Sequence, residues 1–265
     1  MKRSWSALVL AALIATACSP TPSVGDPATT PAPTPTAPLP PTPTSVPATP
    51  PPAIELVTFT TRDDVRLAAT LYNAGDIAVI LAHQGTPGAD QRTWQPFAEY
   101  IAEKGFTALT LDFRGRGQSG GALQTNALIL DVNAAIQFLH ERGYQRIVCI
   151  GDSMGGSACL RAAVENDLAG LVVIASPMSL GRPTDTQPAD LAKLTLPKLF
   201  VCGEKDRFEF VLEQVKQMYE LSPEPKQLKI YEGAPGHGTE LFSSTIGDEF
   251  RDLLVSFLEG LRTGQ

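Results

Sequence analysis

Residues 146–156 read RIVCIGDSMGG: an apolar run that ends in a serine set between glycines. Four consecutive apolar residues of this kind, Ile147 to Ile150, suit a strand buried on both faces. The next stretch, SACLRAAVE at 157–165, has the spacing of a helix. A serine at such a junction has two ordinary uses. Its hydroxyl can cap the new helix, or it can be displayed at a sharp turn as a nucleophile. Gly151 to Gly155 fits G-x-S-x-G, which carries weight only between a strand and a helix, as here. Ser153 is therefore the candidate nucleophile.

Outward from this stretch, apolar runs and amphipathic segments alternate. Residues 54–60 and 65–72 predict an antiparallel hairpin, and further strands are predicted within 77–83, 106–113, 168–176, 197–204 and 226–232. Between them, 92–105 places Trp94, Phe97, Ala98 and Ile101 on one helical face and closes on Gly105. Residues 128–143 repeat the device with Leu128, Val132, Ile136 and Leu139. Helices are also predicted over 153–165, 208–221 and 250–261. Eight strands, mostly continuous in apolarity and interleaved with helices, predict an α/β fold: a mostly parallel sheet with helices on both faces.

Before residue 54 the chain is of another kind. Residues 1–17 carry two basic residues, a short apolar run and then small residues, the layout of an export signal, too short for a membrane span. ATA before Cys18 suits signal cleavage and resembles the lipobox of bacterial lipoproteins, with alanine in place of the usual leucine at Ala15. Residues 18–53 are dominated by Pro, Thr and Ala and are expected to form a disordered tether behind a lipidated Cys18. The expected protein is exported and anchored to a membrane surface of the cell envelope by lipid alone, the alternative being plain secretion. Residues 54–265 form the predicted folded domain. Its net negative charge, −7 for the whole chain, and the lack of a basic cluster argue against nucleic acid. Cys149, Cys159 and Cys202 are odd in number and are read as small core residues, not as a disulfide framework.

A serine nucleophile needs a base, and the chain has three histidines. His140 lies near a helix end. His83 closes the third predicted strand. His237 lies in a glycine-flanked loop beyond the last strand, at the sheet edge where Ser153 emerges, and is the candidate base. The acid that would fix its tautomer follows the seventh strand: Asp206, with Glu204 as the alternative.

In that order, GDSMGG, CGEKD and PGHGT resemble the α/β-hydrolase superfamily, as does the loop LDFRGRGQSGG at 111–121. The short chain is similar to dienelactone-hydrolase-like and serine-aminopeptidase-like members. The resemblance spans residues 54–265 and implies an eight-stranded sheet with its second strand antiparallel, a Ser-His-Asp triad and hydrolysis through an acyl-enzyme. It implies an oxyanion hole from the N–H of Met154 and one from the loop after the third strand. There relatives have His-Gly and this chain has His83, Gln84 and Gly85, so Gln84 and Gly85 both stand as donors. His83 is expected to brace that loop. Only residues 177–196 are free to form a cap, which predicts a minimal one and an open pocket for a small-molecule substrate. Arg114 and Arg116 are read as ordinary loop charges before substrate anchors. No metal or cofactor motif is present, and 115–121 lacks the lysine of a phosphate-binding loop.

The expected activity is hydrolysis of a small carboxylic ester, falling below about pH 6 to 7 as the imidazole gains charge. Amide or peptide cleavage by the same steps is the alternative within the chemistry. A surface-tethered binding protein without turnover is the alternative outside it.

Overall fold

A computed structural model describes residues 52–181 and 185–264. The predicted signal, Cys18 and the tether up to residue 51 lie outside the described residues. The strands are β1 (Ala53–Thr60), β2 (Arg66–Asn73), β3 (Ile77–Ala82), β4 (Thr107–Leu111), β5 (Arg146–Asp152), β6 (Gly170–Ile174), β7 (Lys198–Lys205) and β8 (Lys226–Pro235). They form one sheet in the order β1-β2-β4-β3-β5-β6-β7-β8. β2 is antiparallel to both β1 and β4; from β4 onward every pairing is parallel. This is the α/β-hydrolase fold predicted from the sequence.

The helices are α1 (Gln95–Glu103), α2 (Leu128–Glu141), α3 (Met154–Glu165), α4 (Pro188–Leu191), α5 (Glu209–Leu221) and α6 (Gly247–Thr263). Burial follows the sequence pattern. Every residue of β3, β4 and β6 is buried, as strands covered on both faces must be. α1 buries Phe97, Ala98, Ile101 and Ala102, one stripe at helical spacing. Each fully buried Leu, Ile or Phe contributes about 1.5–3 kcal/mol of transfer free energy, so the sheet is a rigid platform. Because parallel strands all point one way, the loops after β3, β5, β7 and β8 gather at one edge.

One expectation is corrected. Cys149 of β5 and Cys159 of α3 are joined in a disulfide, with Cα atoms 5.7 Å apart. Only Cys202 behaves as the expected free, buried core cysteine. The two paired residues are ten apart in sequence. The tight turn at Ser153 folds α3 back along β5 and brings their side chains together, an apposition that an odd cysteine count conceals.

Candidate active site

β5 stops at Asp152 and α3 starts at Met154, leaving Ser153 alone on the turn with φ 52° and ψ −118°. Such a backbone on a non-glycine residue costs on the order of 1–3 kcal/mol and persists only where its surroundings hold it. They do so here. The Ser153 N–H donates to the Ile174 carbonyl at 2.8 Å. A Cβ at Gly151 would lie 2.5 Å from the Gly155 carbonyl, and one at Gly155 would overlap the Ala82 carbonyl oxygen. The motif glycines thus let strand, turn and helix meet backbone to backbone. The Ser153 hydroxyl makes no capping hydrogen bond, which removes the helix-cap alternative.

His237 follows β8 and is 2% exposed. Its Nδ1 lies 2.8 Å from Oδ2 and 3.1 Å from Oδ1 of Asp206, which itself follows β7 and is buried. A carboxylate only accepts, so Nδ1 carries the proton and Nε2 is left with its lone pair. That Nε2 is buried without a hydrogen-bond partner. Asp206 Oδ1 also accepts from the Phe208 N–H at 2.9 Å, and the Phe208 ring stands edge-on to the imidazole, centroids 4.8 Å apart. The histidine loop is docked on the serine turn. Asp152 Oδ2 accepts from the Thr239 N–H at 3.0 Å and the Thr239 hydroxyl at 3.2 Å. Gly238, at φ 61°, lies so close to the same oxygen that any side chain there would collide with it. The residue before Ser153 therefore holds the two residues after His237. Burial pushes the Asp152 carboxyl up to about 6, against the opposing pull of the Thr239 donors and His237.

The alternatives are placed elsewhere. Glu204 is exposed and accepts from the Gly233 N–H at 2.6 Å. His140 is exposed at the end of α2, its Nδ1 2.9 Å from the Tyr144 carbonyl oxygen. His83 is buried, and its Nε2 accepts from the Phe113 N–H at 3.2 Å. Its Nδ1 therefore donates to the Gln84 carbonyl at 2.7 Å. Burial holds its pKa below the ordinary value, which favours this neutral form. His83 thus ties the loop after β3 to the loop after β4, the brace expected of it. Arg114 is no loop charge: it is buried and paired with Asp131 and Asp63 at 2.7 Å each. Arg116 donates to the Gly85 carbonyl at 2.9 Å and so braces the same loop.

Ser153, Met154 and Gly85 line one cavity of about 250 Å³, together with Ser157, Met178 and Leu180. Met154 opens α3, so its N–H has no acceptor within the helix. Gln84 and Gly85 both turn their carbonyls toward protein donors, His83 and Arg116 respectively. Gly85 shares the cavity with Ser153; Gln84 lines a separate hollow with Thr239 and Phe242. Over the site, the segment after β6 supplies the single turn α4, and Gln214 of α5 holds Ser179 from both sides, at 2.9 and 3.0 Å. The cap is minimal, as predicted. Sequence reasoning missed Asp152 and Phe208. Asp152 fills the variable slot of its own motif, and Phe208 opens a helix as an exposed aromatic; neither carries a local pattern that betrays its neighbour.

The family model described as serine aminopeptidase, S33, matches residues 77–188. The Escherichia coli K12 protein named "Uncharacterized protein YfhR" is 26% identical over 235 residues, covering 78% of this chain and 81% of that protein. Among solved structures, an esterase of Pyrococcus furiosus superposes with a TM-score of 0.68 at 23% identity, over 78% of this chain and 92% of that one. A Xanthomonas campestris protein described as an α/β serine hydrolase without lid superposes at 0.62 and 18% identity, over 78% and 94%. These likenesses agree with the fold.

Proposed function

We propose that this chain is a serine hydrolase that cleaves a small carboxylic ester through an acyl-enzyme. The observation that carries the reading is the Asp206–His237 pair at 2.8 Å, buried and with Nε2 unpartnered, on a loop hydrogen-bonded to the residue before Ser153. In the proposed cycle Nε2 takes the hydroxyl proton as Ser153 attacks the ester carbonyl. Asp206 holds the proton-bearing Nδ1 and stabilises the imidazolium. The Met154 N–H and one of the Gln84 and Gly85 N–H groups hold the oxyanion; losing one such donor costs about 2.7–4 kcal/mol of activation free energy. His237 then protonates the departing alcohol, and water repeats the steps on the acyl-enzyme. The apolar wall of Met154, Met178 and Leu180 would receive a short acyl group.

The serine aminopeptidase model supports a second reading with an amide leaving group. Labelling by a fluorophosphonate probe tests the shared chemistry: wild type is labelled and Ser153→Ala is not. An unlabelled wild type would leave a binding protein as the better account. A panel of short-chain aryl esters against aminoacyl amides then separates the two leaving groups, faster turnover of the esters being expected. The sequence further supports export, cleavage before Cys18 and lipidation of that cysteine, with residues 18–53 as the spacer to the catalytic domain at 54–265. Incorporation of labelled fatty acid, abolished by Cys18→Ala, checks the anchor.

A further inference from the structure

We propose that Asp152 is a positioning residue: its buried carboxylate, through Thr239, holds the loop that sets His237 against the Ser153 turn. This rests on the serine hydrolase reading above and adds to the triad a second carboxylate that touches neither substrate nor the reacting atoms.

Asp152 is fully buried, and its two oxygens are used unequally. Oδ2 takes both Thr239 hydrogen bonds, whereas Oδ1 has no partner. Among the described residues, no lysine or arginine pairs with it. The indole N–H of Trp94 favours its charge without making a regular hydrogen bond, and His237 favours it from across the contact. A buried carboxylate with one idle oxygen is an expensive way to end a strand. An apolar residue would fill the space at less cost in folding free energy. What the carboxylate does instead is reach two donors of one residue 87 positions away in sequence.

The geometry explains why the reach matters. His237 is held at Nδ1 by Asp206 and at its own N–H by Glu240, at 3.0 Å. Both grips lie on the side of β7, the histidine loop and the short 3-10 helix Gly238–Ser243 that follows it. Neither refers the imidazole to the strand that carries Ser153. The Asp152–Thr239 bonds do so, because Asp152 is the neighbour of Ser153 in the chain. Gly238 completes the seat: with φ 61° and no room for a side chain against Asp152, it lets the loop lie directly on the carboxylate. An imidazole displaced by about 1 Å from its working position loses on the order of 100-fold in rate.

Steady-state kinetics on a short aryl ester test this with substitutions that separate hydrogen bonding from charge. Asp152→Ala removes the acceptor and is expected to lower kcat by about 30- to 100-fold, with KM within about twofold. Asp152→Asn keeps an acceptor for Thr239 and should recover kcat to within about fivefold of wild type. Thr239→Val deletes the hydroxyl bond alone, should cost several-fold in kcat, and should cost nothing further in the Asp152→Ala background. Should Asp152→Ala fail to fold, Asp152→Asn and Thr239→Val decide the matter. The inference is overturned if Asp152→Ala keeps wild-type kcat, if the loss lies in KM, if Asn is as slow as Ala, or if Thr239→Val changes nothing. Fluorophosphonate labelling separates the two levels. A wild type that is not labelled overturns the hydrolase reading and this inference with it. A labelled wild type matched in rate by Asp152→Ala overturns this inference alone.

Discussion

Two buried carboxylates, one on α2 and one at the end of β5, are treated in opposite ways. Asp131, on α2, is fully buried and faces Arg114, which it holds at 2.7 Å while also accepting from the Arg114 backbone N–H at 2.9 Å. Burial pushes the Asp131 carboxyl up and the guanidinium opposes it. Burial likewise works against the Arg114 charge, and the hydrogen bonds of Asp63 and Asp131 overcome it, holding the guanidinium above its ordinary value. The outer partner, Asp63, is held well below the usual carboxylate range by its hydrogen bonds from Arg114 and then Thr61. Asp152 is as buried as Asp131 but has only neutral donors and an imidazole around it. The first carboxylate is balanced by a counter-charge that pins the loop after β4. The second is left unbalanced beside the histidine loop. A balanced buried charge is destabilising to remove, whereas an unbalanced one carries its penalty while it is present.

The largest expected effect separates catalysis from structure. Asp206→Asn leaves the fold intact but gives His237 a neutral partner that can favour the wrong tautomer. We expect kcat to fall about 10⁴-fold, read from steady-state ester hydrolysis, with little change in Tm. Asp131→Ala should do the reverse. It strands the buried Arg114 with only the half-exposed Asp63, costing about 3 kcal/mol or more in denaturant unfolding, while the folded fraction keeps its kcat.

The comparison sharpens in the pH dependence of stability. The folded Asp152 carboxyl is raised from 3.8 to about 6, so the folded state holds that proton more tightly than the unfolded state does. Its contribution is most favourable at low pH and is lost as pH rises from about 4 through about 6. Relative to wild type, Asp152→Asn should therefore gain on the order of 2 kcal/mol between pH 4 and pH 7. Paired urea titrations at the two pH values check this, and a constant difference would contradict the assigned environment. Smallest of all is an exposed pair. Lys229→Gln, which breaks the 2.6 Å contact with Glu249, should change unfolding free energy by less than about 0.5 kcal/mol.

Much of the fold is legible in the chain alone. The alternation of apolar runs and helical stripes is local, so β3 to β8 and the five longer helices lie close to where periodicity puts them. The elbow is legible because its glycines form a motif between a strand and a helix, although the demand on Gly155 comes from the Ala82 carbonyl of β3. The sequence already sets Asp206 ahead of Glu204, its alternative, from the order Ser, Asp, His along the chain. They are two residues apart, and β7 ends by sending one side chain to His237 and the other to Gly233. The Cys149–Cys159 bond is hidden, since both cysteines sit in apolar segments that core packing alone explains.

By itself, then, the sequence determined the layers, the succession of strands and helices and the serine at the turn, because spacing along one element dictates which face it buries. Only the tertiary structure decided which cysteines join and what Asp152 grips. Those contacts bridge positions that chain connectivity does not relate, and they exist only once parallel strands bring their ends to a common edge.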